Sequence, residues 1–147
     1  MVMHMKNIIL QKSIVLIITA CIVLAFLCSC NSSKIKYYSQ KENYKRVTGV
    51  VTSVKYNEDA TIMYIDLCEL SPALDDTCFK IVGENLEMLK ANKIDDKLKM
   101  GEQITFITAP KYFGDGYVMP IVAISISGEN LLDFEEGYNN LLDWLSK

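Results

Sequence analysis

Val47-Thr48-Gly49-Val50-Val51-Thr52-Ser53-Val54-Lys55-Tyr56 is the stretch from which the fold can be read. Its β-branched residues suit a pleated strand, and the polar Asn57-Glu58-Asp59 that follows suits a turn. Gly49 inside the run marks a bulge or a sharp bend. Downstream, Thr61 to Leu67 alternates Met63, Ile65 and Leu67 with Ile62, Tyr64 and Asp66, the period of a second strand with one face on a core. Ser71-Pro72 and Asp75-Asp76 interrupt the chain before Thr77 to Val82 resumes the alternation with Phe79 and Ile81, so strands two and three form a hairpin.

Further along, Asn85 to Asn92 carries a capping residue, helix formers and an Asn stop, with Leu86 and Leu89 facing inward. The charged Asp95-Asp96-Lys97 and the turn at Gly101 lead into strand four, Gln103 to Ala109. Gly114-Asp115-Gly116 is the tip of a hairpin to strand five, Tyr117 to Ser127. The chain closes on an amphipathic helix in which Leu131, Phe134, Tyr138, Leu141, Leu142 and Leu145 fall at 3,4 spacing. Asp133 with Glu136 matches a capping box, and Gly137 implies close packing against a neighbour. Trp144 reads as an anchor of that helix.

Three strands, a short helix and two strands is the order of an OB-fold, a small partly open five-stranded barrel, here with an added C-terminal helix. The expectation is therefore a mainly β, OB-like domain over residues 45–147. An α+β sheet of another topology is the alternative.

Upstream the chemistry changes. Met1 to Lys12 carries Lys6 and Lys12 and no acid, an apolar run of about 15 residues follows, and Ser29 is small, the three parts of a secretory signal. Met5 serves as well as Met1 for a start. The run falls short of the roughly 18 to 20 apolar residues that a membrane-spanning helix needs. Leu27-Cys28-Ser29-Cys30 then resembles the lipobox of bacterial lipoproteins: an aliphatic residue, a tolerant position, a small residue and the obligatory cysteine. The resemblance implies a signal peptide over 1–29 and a diacylglyceryl thioether on Cys30, which becomes the first residue after cleavage. It also implies attachment to the extracytoplasmic face of the membrane. Each buried methylene of such a lipid contributes about 0.8 kcal/mol, and two acyl chains give a stable anchor. The body is similar to the small OB-like domains of bacterial lipoproteins, over Val47 to Val54, Leu98 to Ile107 and Pro120 to Trp144.

Residues 30–44 are polar and read as a basic linker, spanning about 20 Å as a flexible coil. Its lysines either touch anionic headgroups or are simply solvated. The leader's two lysines leave 13 basic against 18 acidic residues, a net of −5. Residues 34–46 hold +4 of that, so the remainder stands at −9. An acidic body without a Lys/Arg stripe lacks the footprint of a nucleic-acid binder.

The only histidine, His4, lies in the leader, which removes His-based triads, proton shuttles and zinc sets from the body. No glycine-rich phosphate loop or calcium loop occurs, and no cofactor or metal is implied. The body cysteines, Cys68 and Cys78, fall on one face of the hairpin. They either form one bridge, worth roughly 2 to 3 kcal/mol for a loop of about 10 residues, or remain two free thiols. Tyr64, Tyr112, Phe113 and Tyr117 are the candidate ligand face, since OB-folds bind oligonucleotides or sugars through aromatics on strands two and three and the loops beside them. Their alternative is ordinary packing. The functional expectation is a lipid-anchored, non-catalytic binding or assembly module that recognises an envelope protein or polysaccharide. An OB-type binder of oligosaccharide or another small ligand is the second reading, and a carboxylate-dependent enzyme the third.

Overall fold

The computed structural model describes residues 34–111 and 119–147. The chain divides into two compact units, Met1–Tyr37 and Tyr38–Lys147, and every strand described belongs to the second. The signal segment 1–29, Cys30, Tyr112, Phe113, Tyr117 and the hairpin tip at Gly114-Asp115-Gly116 lie outside the described residues.

Strands β1 (Lys45–Tyr56), β2 (Ile62–Ser71) and β3 (Cys78–Val82) are followed by helices α1 (Gly83–Ala91) and α2 (Ile94–Lys97). Strands β4 (Gln103–Thr108), β5 (Met119–Ile126) and β6 (Glu129–Leu132) and helix α3 (Phe134–Leu145) complete the domain. The six strands form one sheet in the order β3-β2-β1-β4-β5-β6, with antiparallel neighbours throughout. Strand β3 also pairs with β5 in parallel, Phe79 opposite Met119, so the sheet curls back on itself into a ring-like arrangement.

The inner face follows from the alternation in the sequence. Val47 and Val51 of β1, Met63, Ile65 and Leu67 of β2, and Phe79 and Ile81 of β3 are all buried. So are Ile104 and Phe106 of β4 and Ile124 and Ile126 of β5, and the Phe79 and Phe106 rings meet edge-to-face at 4.7 Å. Leu86, Leu89, Ile94 and Leu98 join the same cluster from the helical segment. At Gly49 the β1–β2 register shifts, between Thr48 and Val50, so the expected irregularity is present.

Several expectations are corrected. The sheet has six strands where five are expected. Leu131 belongs to β6, not to the final helix: the tight turn at Ser127-Gly128, both at positive φ, folds the chain back onto β5 and ends the strand alternation. Asp95-Asp96-Lys97 forms the short helix α2, because Ile94 is fully buried and draws the segment inward. The α1 helix begins two residues before Asn85, and its left-handed exit is at Lys93, not Asn92.

The linker is also shorter than its composition suggests. Tyr38 is fully buried, and its hydroxyl donates to the Lys111 carbonyl at 2.9 Å. The Tyr44 hydroxyl donates to the Tyr38 carbonyl, and the Tyr138 hydroxyl of α3 to that of Ser39. Tyr44 presses edge-on against Phe134 and Tyr138 at 5.6 and 5.5 Å, while a single 3-10 turn at Lys41–Asn43 sets Lys41 beside Glu135. Tyr38 to Tyr44 is thus part of the folded unit, held by aromatic burial and three hydroxyl bonds rather than by its exposed ion pair.

Candidate functional site

Outward-facing residues of β1, β4, β5 and β6 line up in two cross-strand rows. Arg46, Ile107 and Ala123 form the first, and Thr48, Thr105, Ser125 and Asn130 the second. Ala123 in the first row and Thr105 and Ser125 in the second are short, and Ile107 lies between Arg46 and Ala123. Where α3 starts beside β6, Asp133 and Phe134 rise next to these rows and leave a cleft of about 250 Å³. Its floor is Ile107 and Ala123, its polar lining Thr105, Ser125, Asn130 and Asp133, and its rim Arg46 and Phe134.

Two features hold α3 where this cleft needs it. Asp133 caps the helix, its Oδ1 accepting from the Glu135 amide at 2.9 Å. That capping bond confirms Asp133 as the start, though the acceptance runs from Glu135 and not from the expected third residue, Glu136. At Gly137 a Cβ would lie 1.9 Å from the Val122 carbonyl oxygen, so only glycine lets the helix approach β5 this closely. The freed approach is locked from α1: buried Asn85 donates to the Gly137 carbonyl at 2.8 Å and accepts from Asn140 at 3.0 Å. Asn85, expected as a helix cap, is instead a buried link between two helices.

Within the cleft the polar groups are largely uncommitted. Among the described residues the Arg46 guanidinium and the Thr105 hydroxyl form no hydrogen bond or ion pair, and Ser125 Oγ reaches only Asn130 Oδ1, at 3.5 Å. Asn130 therefore keeps its amide N–H groups, and Asp133 its second carboxylate oxygen, for an incoming molecule.

Of the candidate ligand and cysteine residues named from the sequence, the described ones, Tyr64, Cys68 and Cys78, lie elsewhere. Tyr64 is half-buried on the outer face of β2, opposite Lys55 of β1 and Lys80 of β3. It is not at the cleft. Cys68 and Cys78 are both free thiols and half-buried. The ladder pairs Cys78 with Asp66, which sets the two cysteines on a diagonal instead of opposite each other. Burial pushes the Cys78 thiol up to about 11, helped by its hydrogen bond to Asp66 and the negative charges of Asp66 and Asp76, with Lys55 opposing. Tyr56 donates to Asp95 Oδ1 at 2.6 Å under the Lys90 ammonium; burial first, then Asp95, raises its ionisation far above the ordinary phenol range. That cluster staples the β1–β2 end to α2. Trp144 lies against Gly83, the left-handed residue that turns β3 into α1, and so anchors α3 as expected.

The cleft residues were missed because each is ordinary by type: a threonine, a serine, an asparagine and one arginine. The signal that could have found them is the Ser127-Gly128 turn, which predicts β6 and with it the alignment of Asn130 beside Ser125.

Among the described residues no group of three or more His, Cys, Asp or Glu side chains is placed to hold a metal ion, and no helix is long and apolar enough to cross a membrane. No protein-family model, no curated protein and no solved structure matches this chain.

Proposed function

We propose that this chain is a bacterial lipoprotein, anchored through Cys30 on the extracytoplasmic face of the membrane, whose OB-like domain binds a ligand without performing catalysis. The reading of location rests on the leader and on Leu27-Cys28-Ser29-Cys30. The OB-like reading is supported by the circuit β1-β2-β3-β5-β4 back to β1, with a helix between β3 and β4. On this view β6 and α3 are additions to a small Greek-key ring.

The observation that carries binding is the cleft over β4 and β5, where one uncommitted cation and several uncommitted hydrogen-bonding groups converge on an apolar floor. Convergent polar groups that fix a ligand's orientation, here in a mostly polar cleft whose apolar part is Ile107, Ala123 and the phenylalanines, are one mark of a small-ligand site. This favours the second sequence reading, a binder of a small ligand, over an assembly module that works through a broad apolar patch. The large apolar side chains exposed among the described residues, Tyr56, Met100 and Trp144, are scattered.

Expression of the full chain in a bacterium, with fractionation and mass spectrometry of its first residue, tests the location. Wild type should sediment with membranes and begin at a diacylglycerylated Cys30, and Cys30→Ala should leave the membrane fraction. Unchanged retention of that variant would overturn the anchor.

A further inference from the structure

We propose that the cleft bounded by β4, β5, β6 and α3 binds a single uronic-acid unit, a sugar carrying one carboxylate, with Arg46 as the carboxylate receptor. This rests on the reading of the domain as a binding module and gives it a ligand class.

Size comes first. A cleft of about 250 Å³ falls below the roughly 300 to 1,000 Å³ of sites for drug-sized ligands, so it accepts one ring and not a folded chain. Location on the sheet comes second. Strand β4 is paired on both sides, by β1 and β5, and β5 by β4 and β6, so the cleft floor offers no free backbone edge. A peptide cannot add as a strand across this floor, where recognition falls to side chains, and the sheet's free edge lies beyond it on β6.

Those side chains fit a polyol with one negative charge. The exposed guanidinium of Arg46 offers a bidentate fork to a carboxylate. Thr105, Ser125 and the Asn130 amide supply donors and acceptors for ring hydroxyls. Asp133, with one oxygen engaged in the helix cap, accepts from a hydroxyl through the other. Ile107, Ala123 and the Phe134 ring give the carbon face of the sugar an apolar bed.

A bare anion is a poorer match, because Asp133 repels it and the apolar floor gains nothing. A neutral sugar leaves the guanidinium without a counter-charge. The net charge of −9 carried by the body outside residues 34–46 disfavours a long polyanion.

The test uses the full chain in a polyoxyethylene ether detergent, which carries no sugar of its own. Glucuronate, galacturonate, glucose, acetate and a short peptide with a free C-terminus are titrated by calorimetry, with amide NMR spectra as the check on folding. A uronate should bind at least about tenfold more tightly than glucose or acetate, since a charge-assisted bond is made only with the former and the hydroxyl contacts are lost with the latter. Arg46→Gln, at an exposed position, should bring the uronate down to the level of glucose, whereas Lys45→Gln should leave it unchanged. Ala123→Phe should fill the floor and abolish binding of every sugar. Equal affinity for glucuronate and glucose, acetate binding as tightly as a uronate, tighter binding of the peptide, or an Arg46→Gln variant that binds like wild type would each overturn the proposal. So would the absence of uronate binding in a well-folded protein. Because the titration uses purified chain, its failure leaves the membrane fractionation of Cys30→Ala untouched, and failure of the anchor leaves the titration standing.

Discussion

Two parts of the outer sheet face differ in a way that matters for function. Over β2 and β3 one outward row is of long side chains, Tyr64 between Lys55 and Lys80, and the next sets the charged Asp66 between Ser53 and Cys78. Tyr64 and Asp66 are half-buried there, Lys55 is exposed, and Lys80 keeps only 8% of its surface although its neighbours Phe79 and Ile81 point into the core. Over β4 and β5 the outward residues are Thr105, Ile107, Ala123 and Ser125, and among the described residues they leave open the space that α3 bounds. A cleft arises where short side chains meet a helix held close by. Aromatic content alone does not make one.

The comparison depends on a rigid ring beneath both faces and on a fixed α3 beside one of them. Phe106→Ala should produce the largest loss, about 4 kcal/mol, because it removes a buried ring and its edge contact with Phe79. Urea unfolding should show it, and both faces should suffer together. Gly137→Ala separates them. Its methyl would collide with the Val122 carbonyl, so α3 must shift at a cost of about 3 kcal/mol, and the cleft should be lost while signals of β2 and β3 stay in place. An NMR comparison of the two faces decides it; uniform change across the sheet would mean that α3 supports the whole ring. Asn85→Ala should cost about 2 kcal/mol through the same helix, since it leaves the Gly137 carbonyl and the Asn140 amide without their buried partner.

The same contrast explains what was legible in the sequence. The β2–β3 side could be read because its inward residues alternate cleanly, and Met63, Ile65, Phe79 and Ile81 are buried as their period requires. The α3 side misled because Leu131 happens to fall at helical spacing from Phe134 while pointing into the core from a strand. Periodicity cannot separate a four-residue strand from the first turn of the helix that follows it. The tyrosines of 38–44 were hidden for a related reason: a polar, lysine-bearing composition suggests solvent, yet Tyr38 is bonded to Lys111 and Tyr44 packs on Tyr138, partners more than seventy positions away. Gly137 was legible as a packing glycine, but its partner, a carbonyl of β5, is a tertiary fact. The cleft required all of these placements at once, and for that reason no local motif marks it.

The smallest effect concerns the crowded face. Cys78 ionises at about 11 in the folded chain and from an ordinary value of 9.0 when unfolded, chiefly because it is half-covered and bonded to Asp66. The unfolded chain therefore loses this proton first as pH rises. Below 9 the two states hold it equally and the contribution is constant; between 9 and about 11 the folded state binds more protons, so stability falls with rising pH. The unfolding midpoint should drop across that window, and Cys78→Ala should flatten the drop relative to wild type. Alkylation gives a sharper reading at pH 8, where the thiolate fraction at Cys78 should be about a hundredfold lower in the folded chain than in urea. Equal rates in the two states would mean that Asp66 and the neighbouring side chains leave Cys78 open to solvent. The β2–β3 face would then be as accessible as the cleft over β4 and β5, and the distinction between the two faces would rest on shape alone.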